Sequence, residues 1–232
     1  MAELSLPIHW AATRGDVAAL RRELDNGVSP DTPDPTNSFT PLHYLCAIGT
    51  HGGGSQAAVC INLLIERGVN VNAGNSANVT PLHFAILNHQ ELVPLLLDSG
   101  ADPNHTMRDG ESALHYAVRP RPSRESLAVV RQLIRAGADP KLRNHEDKTP
   151  MDLAVERSRH RLCPIFLRAG ANPRTAQTTT VYLQKVITAG SFRAYERNHL
   201  NAITATFVPK FPRLPPEMVR RVVEYAFHVG DY

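Results

Sequence analysis

The first 118 residues contain no lysine, and the whole chain of 232 has three cysteines, one tryptophan and no stretch apolar enough to span a bilayer. Three cysteines cannot all pair with one another, and none stand as Cys-x-x-Cys, so a disulfide scaffold and a dithiol redox motif are both excluded. Cys46, Cys60 and Cys163 occupy small or apolar slots and are expected to be buried as small hydrophobes. His51-Gly52-Gly53-Gly54-Ser55 imitates the oxyanion loop of esterases, but no Gly-x-Ser-x-Gly elbow supplies a nucleophile. The Gly-Lys-Ser/Thr of a phosphate loop is missing too. These absences point away from enzymes and from cofactors. The basic part of the chain has no interleaved aromatics, which argues against a nucleic-acid partner. Met1-Ala2-Glu3-Leu4 has neither the basic nor the apolar region of a signal peptide, so no membrane partner and a cytoplasmic or nuclear location are expected.

What the chain does have is a period. Thr-Pro-Leu-His occurs at Thr40–His43 and again at Thr80–His83. Degraded copies stand at Leu6–His9, Ser112–His115 and Thr149–Asp152, with steps of 34, 40, 32 and 37 residues. A unit of this length recurring five times is the signature of a stacked-repeat solenoid. Such a solenoid builds an extended surface, not a closed catalytic pocket.

Each copy reads as helix, turn, helix and extended finger. The threonine or serine stands at a helix N-cap, and proline follows where its missing N–H costs nothing. About twenty residues on, a second apolar run ends at Gly27, Gly68, Gly100, Gly137 or Gly170, each placed to supply a left-handed C′ residue. Asx/Pro stretches such as Ala101-Asp102-Pro103-Asn104 then turn the chain away. Pro94 and Pro164 fall inside second helices at one repeat position, and there a proline must kink the helix or shift its start.

These residues resemble the ankyrin-repeat family. The pattern Thr-Pro-Leu-His-x-Ala-Ala, then Ile-Val-x-Leu-Leu-Leu, then Gly-Ala-Asp-x-Asn is matched almost completely over residues 80–104. The resemblance implies an all-α solenoid of five repeats, at about residues 5–35, 36–76, 77–108, 109–145 and 146–176. Residues 177–232 are expected to form a degenerate sixth repeat and capping helices. It also implies non-catalytic binding of another protein through the concave groove and finger tips. The finger glycine two residues before the threonine survives only as Gly110; Ser38, Asn78 and Asp147 replace it elsewhere.

Histidine recurs at His9, His43, His83 and His115, but one per repeat on helices 8–10 Å apart cannot converge on one ion, so no metal site is expected. The resemblance makes these histidines structural hydrogen-bonding residues, with Asp152 weakening the fifth repeat's network. The next position holds Trp10, Tyr44, Phe84 and Tyr116, and by resemblance lies on or beside the groove. Ile48 and Leu87 are apolar where water is expected, and with Phe39 and Val79 they form a candidate patch. Candidate protein-binding residues are therefore Phe39, Tyr44, Ile48, Val79, Phe84, Leu87 and Tyr116, with Arg108 and Glu111 at a finger. Charge is uneven: residues 1–118 hold five arginines against twelve acids, a net of −7, and residues 119–174 a net of +7. A dipolar solenoid can orient a charged partner. Ser123, between arginines in an inserted loop, is a candidate phosphosite.

The tail carries one more resemblance. Leu214-Pro215-Pro216-Glu217-Met218 is similar to the Leu-Pro-x-Glu opening of an F-box helix, and Met218 and Val222 continue its apolar stripe. This implies an alternative function, a substrate adaptor recruited by Leu214, Pro215, Glu217, Met218 and Val222 to a Skp1-like or cullin subunit of a ubiquitin ligase. A second class of ankyrin protein ends in a box that recruits elongin and cullin, but Tyr182–Val186 lacks the cysteine its first motif wants.

Overall fold

The computed structural model describes residues 7–48, 54–120, 124–172, 181–189, 191–210 and 215–219. Its backbone divides into two compact units, Met1–Pro150 and Met151–Tyr232. Helices dominate the described residues; the one isolated β-bridge there, Thr106 to Ser112, belongs to no sheet.

The first unit holds four helix pairs: α1 (Pro7–Arg14) with α2 (Val17–Asp25), α3 (Pro41–Ala47) with α4 (Gly54–Glu66), α5 (Pro81–Asn88) with α6 (Val93–Asp98), and α7 (Ala113–Ala117) with α8 (Arg124–Arg135). The inner helices α1, α3, α5 and α7 stack on one another in chain order. Ile8, Leu42, Leu45, Leu64, Leu82, Ile86, Leu96 and Leu114 are sealed between layers, and this apolar burial supplies most of the stability. Cys46, Cys60 and Cys163 are free and buried as expected, and burial pushes the thiols of Cys60 and Cys163 up to about 11.

Pro94 shifts the start of its helix. Gln90–Leu92 forms a 3₁₀ turn, and α6 begins beyond it with Pro94 in its first turn, where no carbonyl waits for the missing N–H. Pro164 repeats this in the second unit.

The fingers bond to one another along the stack. Ser76 N donates to Asn37 O, Arg108 N to Ala77 O, and His145 N to Asp109 O, at 2.9, 3.1 and 2.9 Å. Asn72 adds a two-way link, its Nδ2 donating to Gly100 O at 3.0 Å while its Oδ1 accepts from Asp102 N at 2.7 Å. Asn104 repeats this with Gly137 O and Asp139 N. The finger glycine slot adopts the left-handed conformation whatever its residue: φ is +57° at Ser38, +59° at Asn78 and Asp147, and +77° at Gly110.

The second unit contains α9 (Pro150–Glu156), a 3₁₀ turn at His160–Leu162, α10 (Cys163–Arg168), α11 (Val181–Thr188) and α12 (Phe192–Phe207). The fifth helix pair, α9 and α10, falls in this unit with the C-terminal helices. Phe166, Leu183 and Val186 are fully buried there, and Ser191 caps α12 by accepting from Ala194 N at 3.1 Å. Arg168 donates twice to Glu196 Oε1, at 2.9 and 2.6 Å.

Candidate protein-binding groove

Three inner helices begin with the same local chemistry. Thr40, Thr80 and Ser112 have extended backbone just before α3, α5 and α7. Each donates its backbone N–H to Nδ1 of the histidine three residues on, at 3.1, 3.3 and 3.1 Å. Each hydroxyl lies 2.8–2.9 Å from that same nitrogen. The arrangement has the form of a capping box, with the ring as the close partner of the expected threonine cap. An Nδ1 that accepts from an amide carries no proton, so the network places the proton on Nε2.

His43 Nε2 then donates to Val79 O at 2.9 Å and His115 Nε2 to Lys148 O at 3.0 Å, each reaching the finger of the following repeat. His83 departs from this rule. Its ring is fully buried, and Nε2 finds no hydrogen-bond partner. It stands edge-on to the Tyr116 ring at 5.4 Å and 6.4 Å from the ring of His105. Burial pushes the His83 imidazole down to about 3, helped by His105. Burial also lowers His43, against the opposing pull of the Val79 carbonyl. His43 and His115 thus tie the start of their own helix to the finger of the following repeat, whereas His83 is held inside its own layer.

The next residue along each of these helices is aromatic and packs against its neighbours. Tyr44, Phe84 and Tyr116 are half-buried, and Phe39 bridges two repeats with ring centroids 5.5 Å from Tyr44 and 5.1 Å from Phe84. Such tilted aromatic pairs add about 0.5–1.5 kcal/mol each beyond area burial. Tyr44 donates its hydroxyl to Asp34 Oδ2 at 2.5 Å. Burial alone raises the Asp34 carboxyl, but the Tyr44 hydroxyl and the N–H groups of Asn37 and Thr36 outweigh it and hold the group below its ordinary value. Asp34 is therefore a fixed anion at the first finger.

The structure separates the sequence candidates into three sets. Ile48 and Leu87 face solvent, at 55% and 39% exposure, and Arg108 is exposed at its finger. Phe39, Tyr44, Phe84 and Tyr116 are half-buried between repeats, with part of each side chain accessible. Val79 and Glu111 are a correction, at 9% and 7% exposure. Both immediately precede a helix cap, where the finger folds over them. Val79 gives its carbonyl to His43, and the Glu111 carboxylate accepts from Arg119 Nη2 at 2.6 Å. The same guanidinium lies 4.0 Å over the Tyr116 ring.

Three further residues beside these, Trp10, Arg119 and Asp34, were absent from the sequence candidates. Trp10 is 47% exposed with the Arg14 guanidinium 5.7 Å from its ring; its post-histidine slot was the signal. Arg119 is the helix-end position that varies by repeat, and Asp34 gave no signal beyond its place in a finger. In the tail, Pro215, Glu217 and Met218 are exposed and Val219 is buried, whereas Leu214, Val222 and Ser123 lie outside the described residues. Among the described residues no three metal-ligating side chains converge, and no helix is long and apolar enough to cross a membrane.

Comparison with known proteins agrees with this architecture. The family model for ankyrin repeats (three copies) matches residues 8–107, and that for a single ankyrin repeat matches residues 109–145. The chain is 37% identical over 66% of its length to the B-cell lymphoma 3 protein homolog of Mus musculus. It is 38% identical over 42% of its length to ankyrin repeat and SOCS box protein 16 of Mus musculus. It is also 33% identical over 56% of its length to ankyrin repeat and SOCS box protein 11 of Homo sapiens. It spans only 32%, 22% and 37% of these three relatives.

Proposed function

Because the chain belongs to the ankyrin-repeat family, we propose that it is a non-catalytic protein-binding module that holds a partner in the groove of its first four repeats. The observation that carries this reading is the pair Ile48 and Leu87, exposed at helix ends beside the aromatic wall of Phe39, Tyr44 and Phe84. Interface energy concentrates in a few apolar anchors of this kind. Replacing Ile48 and Leu87 together by serine is expected to abolish partner capture from a lysate while leaving the helical circular dichroism unchanged. Undiminished capture sinks the groove as the binding face; loss of the helical signal shows that both residues are core.

The adaptor form of this reading has the more direct support. Two relatives pair ankyrin repeats with a SOCS box by name. The exposed side chains of Glu217 and Met218 are available for recruitment. In this form the groove selects a substrate and the C-terminal helices engage a cullin-type ligase. Purified Skp1-like and elongin–cullin subunits, each titrated against the full chain, are the direct test. Binding of either one that Met218→Asp weakens supports coupling to a ligase, and binding of neither leaves groove capture as the whole function.

A further inference from the structure

The groove also carries information about the chemistry of its occupant. In the described residues up to 118, five arginines and no lysine face eleven acids. Two of those arginines are already committed, Arg67 to Asp25 at 2.7 Å and Arg22 to Glu23 at 3.6 Å. Arg14 lies against Trp10, and Arg119 at the fourth repeat is neutralised by Glu111. Asp109, by contrast, stands exposed at a finger tip, whereas Asp34 is buried with its carboxylate spent on Thr36 N, Asn37 N and the Tyr44 hydroxyl. Residues 119–150, in the same compact unit, hold eight basic and four acidic groups, a net of +4. The unit is therefore a dipole, negative over repeats one to three, and its exposed large apolar side chains, Trp10, Ile48 and Leu87 at the inner helices and Val59 on the outer helix α4, all lie in the negative part.

From this we infer that the occupant is a basic peptide segment with apolar side chains about one repeat apart, its cationic end over repeats one to three. The inference rests on the groove reading above. Trp10 and Leu87 sit on α1 and α5 and Ile48 caps the end of α3, three successive inner helices that pack roughly 8–10 Å apart. A partner that fills these positions with leucine or phenylalanine and places lysine or arginine between them matches both the apolar surface and the excess of acids over this part of the chain. Electrostatic matching of this kind governs orientation and rate of encounter more than final affinity.

Random sixteen-residue peptides displayed on phage provide the probe, panned on the full chain and counter-selected on the Ile48→Ser, Leu87→Ser double variant. Enriched peptides are expected to be rich in lysine and arginine with spaced leucine or phenylalanine. Their affinity should fall about tenfold between 50 and 300 mM salt, as screening of unpaired charges requires. Asp109→Asn keeps the Oδ1 acceptor for Glu111 N and should weaken those peptides several-fold at an unchanged unfolding midpoint. Groove-dependent peptides that are neutral or acidic overturn this inference and leave the groove reading standing. A panning that yields no groove-dependent peptide overturns the groove reading itself. A concentration-dependent dimer in sedimentation, lost in the double variant, makes a second copy the occupant and also overturns the inference.

Discussion

A left-handed backbone position without glycine costs a side chain roughly 1–2 kcal/mol, and what the residue receives in return differs along this chain. Asn78 donates its Nδ2 to Thr106 O at 2.7 Å, so its side chain recovers part of the strain. Ser38 is exposed at φ +57°. Ser38→Gly should therefore raise stability by about 0.5–1 kcal/mol, whereas Asn78→Gly should gain nothing; urea midpoints compare them directly. Gly110 is different again, since an added Cβ meets His145 N at 3.0 Å and Asn144 Cα at 3.1 Å as well as the φ penalty. Gly110→Ala should cost about 2 kcal/mol or more. The buried histidines give the stability a pH dependence of definite sign. Both His43 and His83 are lowered on folding, so the unfolded chain takes up protons first as pH falls. Stability is complete above the ordinary histidine value of about 6.5 and declines below it, by on the order of 2 kcal/mol at pH 5 from His83 alone. Urea midpoints at pH 7.5 and pH 5 should show this loss, and His83→Gln should shrink the difference between them.

At the scale of elements, Pro94 makes the sharpest contrast. A proline in a helix interior costs about 3 kcal/mol, but one in the first turn costs almost nothing. Because the 3₁₀ turn Gln90–Leu92 absorbs the irregularity, Pro94→Ala should change stability by less than about 0.5 kcal/mol. A gain of several kcal/mol in a denaturant titration would mean that the turn is strained by the proline. This irregularity was legible in the sequence, because proline chemistry is local. The C′ glycines were legible for the same reason, since each follows from one residue and its register, whereas the left-handed backbone of Ser38, Asn78 and Asp147 emerged only in the structure. The groove was legible only in part. Ile48 and Leu87 could be read from the helix period, but Val79 and Glu111 occupy the residue before the cap, and their burial depends on how a finger folds over its neighbour. Arg119 was missed because its anchors, Glu111 and Tyr116, stand eight and three residues away, and their convergence needs the folded finger.

At the scale of the whole molecule, a net charge of +3 conceals −7 over residues 1–118 and +10 over the remainder, so formal charge says little about what the chain attracts. The division into units Met1–Pro150 and Met151–Tyr232 sets a different question: whether the last residues are structural or recruiting. Residues 216–219 are helical, with Glu217 and Met218 turned to solvent and Val219 only 4% exposed. One short turn therefore presents both a buried and an open side. Burying a valine side chain contributes about 1.5–3 kcal/mol, which is a large share of a domain stability of 5–15 kcal/mol. Deleting residues 209–232 should accordingly lower the unfolding midpoint and solubility of the chain, because the surface that shelters Val219 becomes exposed. Met218→Asp, by contrast, alters an exposed side chain and should leave the midpoint unchanged. A truncated chain as stable as the parent would remove the structural role and leave recruitment as the reason for the helix. A destabilised truncation beside a stable Met218→Asp variant assigns the two sides of the turn to two tasks, packing and display.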